Sequence, residues 1–90
     1  MPPRKEIKPR VIEAINEARE TPGEAIREAD RLWEDLDMGP LLRRAMSRPY
    51  SEIAKKYAGG LPVSMDEAEN LETVKASIDL VTKRASGDPQ

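Results

Sequence analysis

Glu13 and Glu17, Glu24 and Glu28, and Asp30 and Glu34 are carboxylate pairs at i,i+4, the spacing that puts two side chains on one helix face. Carboxylates placed in this way serve acid–base chemistry or hold a hard cation such as Mg²⁺, provided several helices bring them to one point. The three pairs fall mostly on the polar side of their helical patterns, so a solvated surface is expected of them. The rest of a catalytic inventory is missing. The 90 residues include no His and no Cys, which removes imidazole, thiolate and disulfide chemistry and the side chain that titrates near neutral pH. No nucleophile stands beside a base, no glycine-rich loop suits a phosphate, and no calcium-loop pattern occurs. The sequence predicts no enzyme, no metal and no cofactor.

Binding is the chemistry left, and charge is distributed unevenly for it. Residues 1–10 carry +3, residues 11–40 carry −6, residues 41–58 carry +4 and residues 59–90 carry −3, for a net −2. Alternating blocks of opposite sign suit the packing of one stretch on another as well as an external partner. Arg43, Arg44, Arg48, Lys55 and Lys56 are the candidate nucleic-acid contacts, with Tyr50 or Tyr57 available for stacking. The segment Tyr50-Ser51-Glu52-Ile53-Ala54-Lys55-Lys56-Tyr57 before Gly59 resembles the first helix of a DNA-binding helix-turn-helix, which implies a recognition helix directly after it. Here the turn is lengthened by Gly60-Leu61-Pro62-Val63, and the next helix opens with Asp66, Glu67, Glu69 and Glu72, whose charge repels phosphate. Nucleic-acid binding is therefore the alternative reading.

Helix punctuation organises the chain. Pro9 suits a first helical turn, and Val11, Ile15 and Ala18 follow at helical spacing, predicting a helix over about Pro9 to Glu20. Thr21-Pro22-Gly23-Glu24 reads as a capping box, and Ala25, Ala29, Leu32 and Leu36 continue a stripe until Gly39-Pro40, predicting a second helix from Pro22 to Met38. Pro40 opens a short helix carrying Leu41, Leu42, Ala45 and Met46, which Pro49 interrupts. Ser47 is the expected cap of the next helix, whose apolar face is Tyr50, Ile53, Ala54 and Tyr57 and which stops at Gly59-Gly60. A second capping box, Ser64-Met65-Asp66-Glu67, starts the longest predicted element, Met65 to Ala85, roughly 30 Å at 1.5 Å per residue. Residues 1–6 and 87–90 carry Pro, Gly and charge without periodicity and are expected to fray.

Within the last element, Leu71, Val74, Ile78, Val81 and Ala85 are spaced three, four, three, four, the a/d seam of a heptad pattern. That seam faces either a second copy of the chain or the other helices of its own chain. Trp33, beside Leu32 and Leu36, is either a core anchor or, at the edge of its stripe, the hot spot of an interface. Nothing alternates with period two and no apolar run approaches the roughly 18 residues of a membrane span. The expected architecture is one all-α domain, residues 1–90, a small bundle of four to five helices with a long C-terminal helix. Only three aromatic residues serve its core, so the domain would gain from a partner surface. The expected role is a soluble, cytoplasmic protein-interaction module (adaptor, regulatory subunit or inhibitor), self-association included. Its candidate interface is Trp33, Leu36, Leu71, Val74, Ile78 and Val81.

Overall fold

The computed structural model describes residues 3–90 and is all-α: among these residues it has five helices and no strand. They are α1 (Arg4–Arg19), α2 (Pro40–Ala45), α3 (Ser47–Lys55), α4 (Met65–Glu69) and α5 (Val74–Ala85). No helix is long and apolar enough to cross a membrane.

The core follows the apolar stripes. α1 buries Ile7, Val11, Ala14 and Ile15, spaced so that they share one face. α5 buries Val74, Ile78, Val81 and Ala85 and packs along α1. α3 closes the bundle, setting Tyr50, Ile53 and Ala54 against α5 and α1, while α2 packs on α4 as a second helix pair. Burying side chains of this size contributes on the order of 2 kcal/mol each, so these stripes are the main source of stability.

The N-terminal helix starts earlier than its proline suggests. Arg4 opens it, and Pro9 lies inside. Proline removes one helical hydrogen bond, but Arg4 is anchored by carboxylates from two other segments, donating to Glu28 at 2.5 Å and to Asp79 at 2.7 Å. Arg4 to Glu6 are therefore helical instead of frayed, and Met1 and Pro2 lie outside the described residues. At the other end residues 88–90 have no helical structure, although Arg84 and Lys83 donate to the carbonyls of Asp88 and Gln90.

The predicted second helix does not form. Residues 20–39 run as turns that nonetheless bury Ile26, Leu32, Leu36 and Met38, while Ala25 and Ala29 of the predicted stripe are exposed. Asp side chains take the backbone N–H groups that helix carbonyls would accept: Arg27 N–H donates to Asp30 and Arg31 N–H to Asp35. The segment is then stitched to the start of α5, with Leu32 N–H on the Glu72 carbonyl, Val74 N–H on that of Asp30 and Lys75 N–H on that of Glu28. Arg31 and Thr73 form an isolated bridge there.

This stitching also divides the predicted long helix. The Ser64 capping box forms as read, but α4 ends at Glu69 and residues 70–73 are extended or turned before Thr73 caps α5 by accepting from the Ala76 N–H. The C-terminal helix is thus Val74–Ala85, with Leu71 buried in the connection. Ser47 caps nothing: it is the first residue of α3, and Met46, between α2 and α3, holds the cap position without a side-chain bond. Gly60 is required by close approach, since a Cβ there would stand 1.9 Å from the Ala54 carbonyl oxygen.

Candidate functional site

The seam residues lie inside the chain. Val74, Ile78 and Val81 are fully buried, and Leu36 and Leu71 nearly so, in one cluster with the α1 and α3 stripes. Their heptad spacing serves intramolecular packing, so no seam face is left for a second copy. Trp33 is different. It is 50% exposed, and Leu41 and Met65 are 82% and 54% exposed.

These three exposed apolar side chains sit on or against the α2–α4 pair. Trp33 lies in the turn segment before α2, its ring 3.9 Å from where a Gly39 Cβ would stand and with the Arg43 guanidinium carbon 5.2 Å from the ring centroid. That is a cation–π distance. Leu41 is on α2, and Met65 is the first residue of α4. A recess of about 250 Å³ opens beside Trp33, lined by Arg31, Glu34, Arg43, Glu72 and Thr73. The Arg43 Nε is buried without a hydrogen-bond partner, so its guanidinium is held by the indole and by packing. Across the same helix pair Arg44 donates to Asp66 at 3.0 Å and to Glu69 at 2.9 Å.

The basic stretch is thus only partly available to an outside anion. Arg44 is engaged by two carboxylates, Arg48 lies 3.6 Å from Glu52, and Arg43 stacks on Trp33. Lys55 and Lys56 are exposed. Tyr50 offers no stacking face, being 1% exposed. Its hydroxyl lies near Ser77 without forming a hydrogen bond of ordinary geometry, and burial pushes it up to about 12. Tyr57 is half-buried and donates to Glu6 at 2.8 Å. The helix that follows the helix-turn-helix-like segment is α4, five residues long, and two of its carboxylates face Arg44.

Two of the three carboxylate pairs separate as well, while Glu13 and Glu17 stay one helical turn apart on α1. Glu28 accepts from Arg4 and pairs with Lys8 at 3.1 Å, contacts that hold its carboxyl down to about 2. Glu24 pairs with Arg19, Asp30 accepts from Arg27, and Glu34 lies 3.9 Å from Arg31. Among the described residues no group of three or more acidic side chains is placed to hold a metal ion. The alternating charge blocks therefore pair with each other: basic residues 1–10 with Glu28 and Asp79, and the basic block around Arg44 with Asp66 and Glu69.

The sequence pattern placed Trp33 at a possible edge but gave no reason to single out Leu41 and Met65. Leu41 was hidden among Leu42, Ala45 and Met46, of which Met46 is the residue that α2 and its cap bury. Comparison with known protein families, curated proteins and solved structures finds no match.

Proposed function

We propose that this chain works by binding another protein, a second copy of itself included, through the surface of Trp33, Leu41 and Met65. The observation that carries the reading is that these three, on or beside one helix pair, are exposed while the other large apolar side chains among the described residues are at least partly buried. Exposed apolar groups of this kind mark interaction surfaces, and Trp and Arg are the residues enriched among binding hot spots. The Trp33–Arg43 stack holds the indole in one orientation, which lowers the entropy lost on docking. The role is one of binding, not catalysis, and the cytoplasm is the compartment proposed for a chain without Cys. Internal pairing of Arg44 and Arg48 favours a protein partner over nucleic acid.

Two measurements test this. Light scattering across a wide concentration range reads self-association, and crosslinking in lysate with mass spectrometry reads other partners, each run on wild type and on the Trp33→Ala, Leu41→Asp double variant. Self-association or a crosslinked partner that the variant loses by about 2 kcal/mol or more supports the surface. A monomer whose crosslinks do not change with the variant overturns it, and so does salt-sensitive binding of labelled DNA or RNA that the variant retains.

A further inference from the structure

A second groove, sharing no residue with the Trp33 surface, lies where the chain turns back from the end of α1. It has a volume of about 530 Å³, within the range of preformed ligand sites. Its apolar part is Ile12 with the rings of Pro9 and Pro22, and its edges carry Glu13, Glu17 and Glu24. Asn16 and Gly23 complete the lining, so three carboxylates and no cation face this space.

The wall formed by residues 21–24 is built, not loose. The buried Asn16 side chain donates to the Glu24 carbonyl at 3.0 Å and accepts from the Thr21 hydroxyl at 3.1 Å. Thr21 N–H donates to the Asn16 carbonyl, and Arg19 reaches the Glu24 carboxylate at 2.7 Å. Gly23, at φ +79°, makes the turn, a conformation that glycine adopts without strain.

Internal pairing decides the charge of the groove. Glu24 is neutralised by Arg19, and Glu28, Asp30, Glu34 and Asp35 have cations elsewhere. Glu13 and Glu17 are exposed, one helical turn apart, and take part in none of the ion pairs among the described residues. They also border a smaller recess toward α3, where Arg10, Lys56 and Glu52 stand, yet neither cation comes within ion-pair distance of them. Two like charges at i,i+4 repel each other, and a cation laid between them removes that repulsion.

We propose that this groove docks a lysine- or arginine-bearing segment of a partner protein. A basic side chain has an aliphatic stem and a charged head; the stem matches Ile12, Pro9 and Pro22, and the head reaches Glu13 and Glu17. With the Trp33 surface elsewhere, the chain has two separate places to hold protein, as a connector requires.

The test is selection of a random peptide library on wild-type protein and on the Glu13→Gln, Glu17→Gln variant. Both positions are exposed, and far-ultraviolet circular dichroism checks that the variant is folded. The expected result is enrichment of peptides with Lys or Arg beside aliphatic residues, their affinity falling about tenfold on the variant and weakening as salt screens the pairing. No enrichment, or enrichment equal on both proteins, overturns the proposal. Trp33→Ala separates this proposal from the previous one: selected peptides should bind that variant as they bind wild type. Peptides lost with Trp33→Ala and kept by the double Gln variant would dock at the α2–α4 surface and leave the groove without a role.

Discussion

Residues 21–24 and residues 64–67 share one pattern, a hydroxyl residue followed three positions later by Glu, and only the second begins a helix. Around Ser64 the box holds despite a competitor: the Ser64 side chain accepts from the Glu67 N–H, and one Glu67 carboxylate oxygen accepts from the Ser64 N–H while Arg84 takes the other. Around Thr21 every part of the box is taken. Its hydroxyl donates to Asn16, Glu24 is held by Arg19, and Gly23 has left-handed backbone. Asp30 and Asp35 then draw later N–H groups into local turns. A capping pattern predicts a helix only where its hydroxyl and its carboxylate both stay bonded to the backbone of the box.

The comparison is sharpened first by breaking each region's core. Ile78→Asp places a charge at a fully buried position and is expected to unfold the monomer, by more than about 4 kcal/mol; a folded variant by circular dichroism would refute the internal seam. Leu32→Ala should lower urea stability by about 3 kcal/mol, as for a helical core leucine, because the irregular segment buries Leu32 to 1% exposure. A loss below about 1 kcal/mol would mean that residues 20–39 are held loosely. Glu67→Gln takes the counter-charge from the buried Arg84 guanidinium, with which Glu67 forms an ion pair. About 3 kcal/mol of denaturant stability should go with it.

Gly23→Ala tests the sign. In a helix this change stabilises by roughly 1 kcal/mol, whereas at φ +79° it should lower the melting temperature, costing about 1 kcal/mol. The smallest effect is expected from acid. Arg4, then Lys8, hold the Glu28 carboxyl down to about 2, below its unfolded value of about 4.3. Its contribution is therefore complete only above that unfolded value and is lost as pH falls toward 2. Hydrogen exchange should show Val74 and Lys75, whose N–H groups bond Asp30 and Glu28, losing protection in that window before mid-α5 amides do.

Much of the fold was legible in the chain. The stripes of α1, α3 and α5 and the Ser64 cap follow from spacing and from residues that permit few alternatives, whereas α3 ends at Lys55, before Tyr57 and the Gly59-Gly60 pair expected to stop it. The irregular course of residues 22–38 was not legible, since their burial at Ile26, Leu32, Leu36 and Met38 has no helical period and depends on carbonyls and N–H groups of residues 72–75. Of the surface candidates, Trp33 was visible as a lone aromatic at a stripe's edge. The exposure of Leu41 and Met65 depends on how α2 lies on α4, which no local pattern encodes.

The stitches between residues 28–32 and 72–75 join positions roughly forty residues apart, and closing such a loop is entropically unfavourable until many contacts form together. Residues 20–39 have no helix of their own, so the backbone of the segment that carries Trp33 is fixed only where residues 72–75 are in place to receive it.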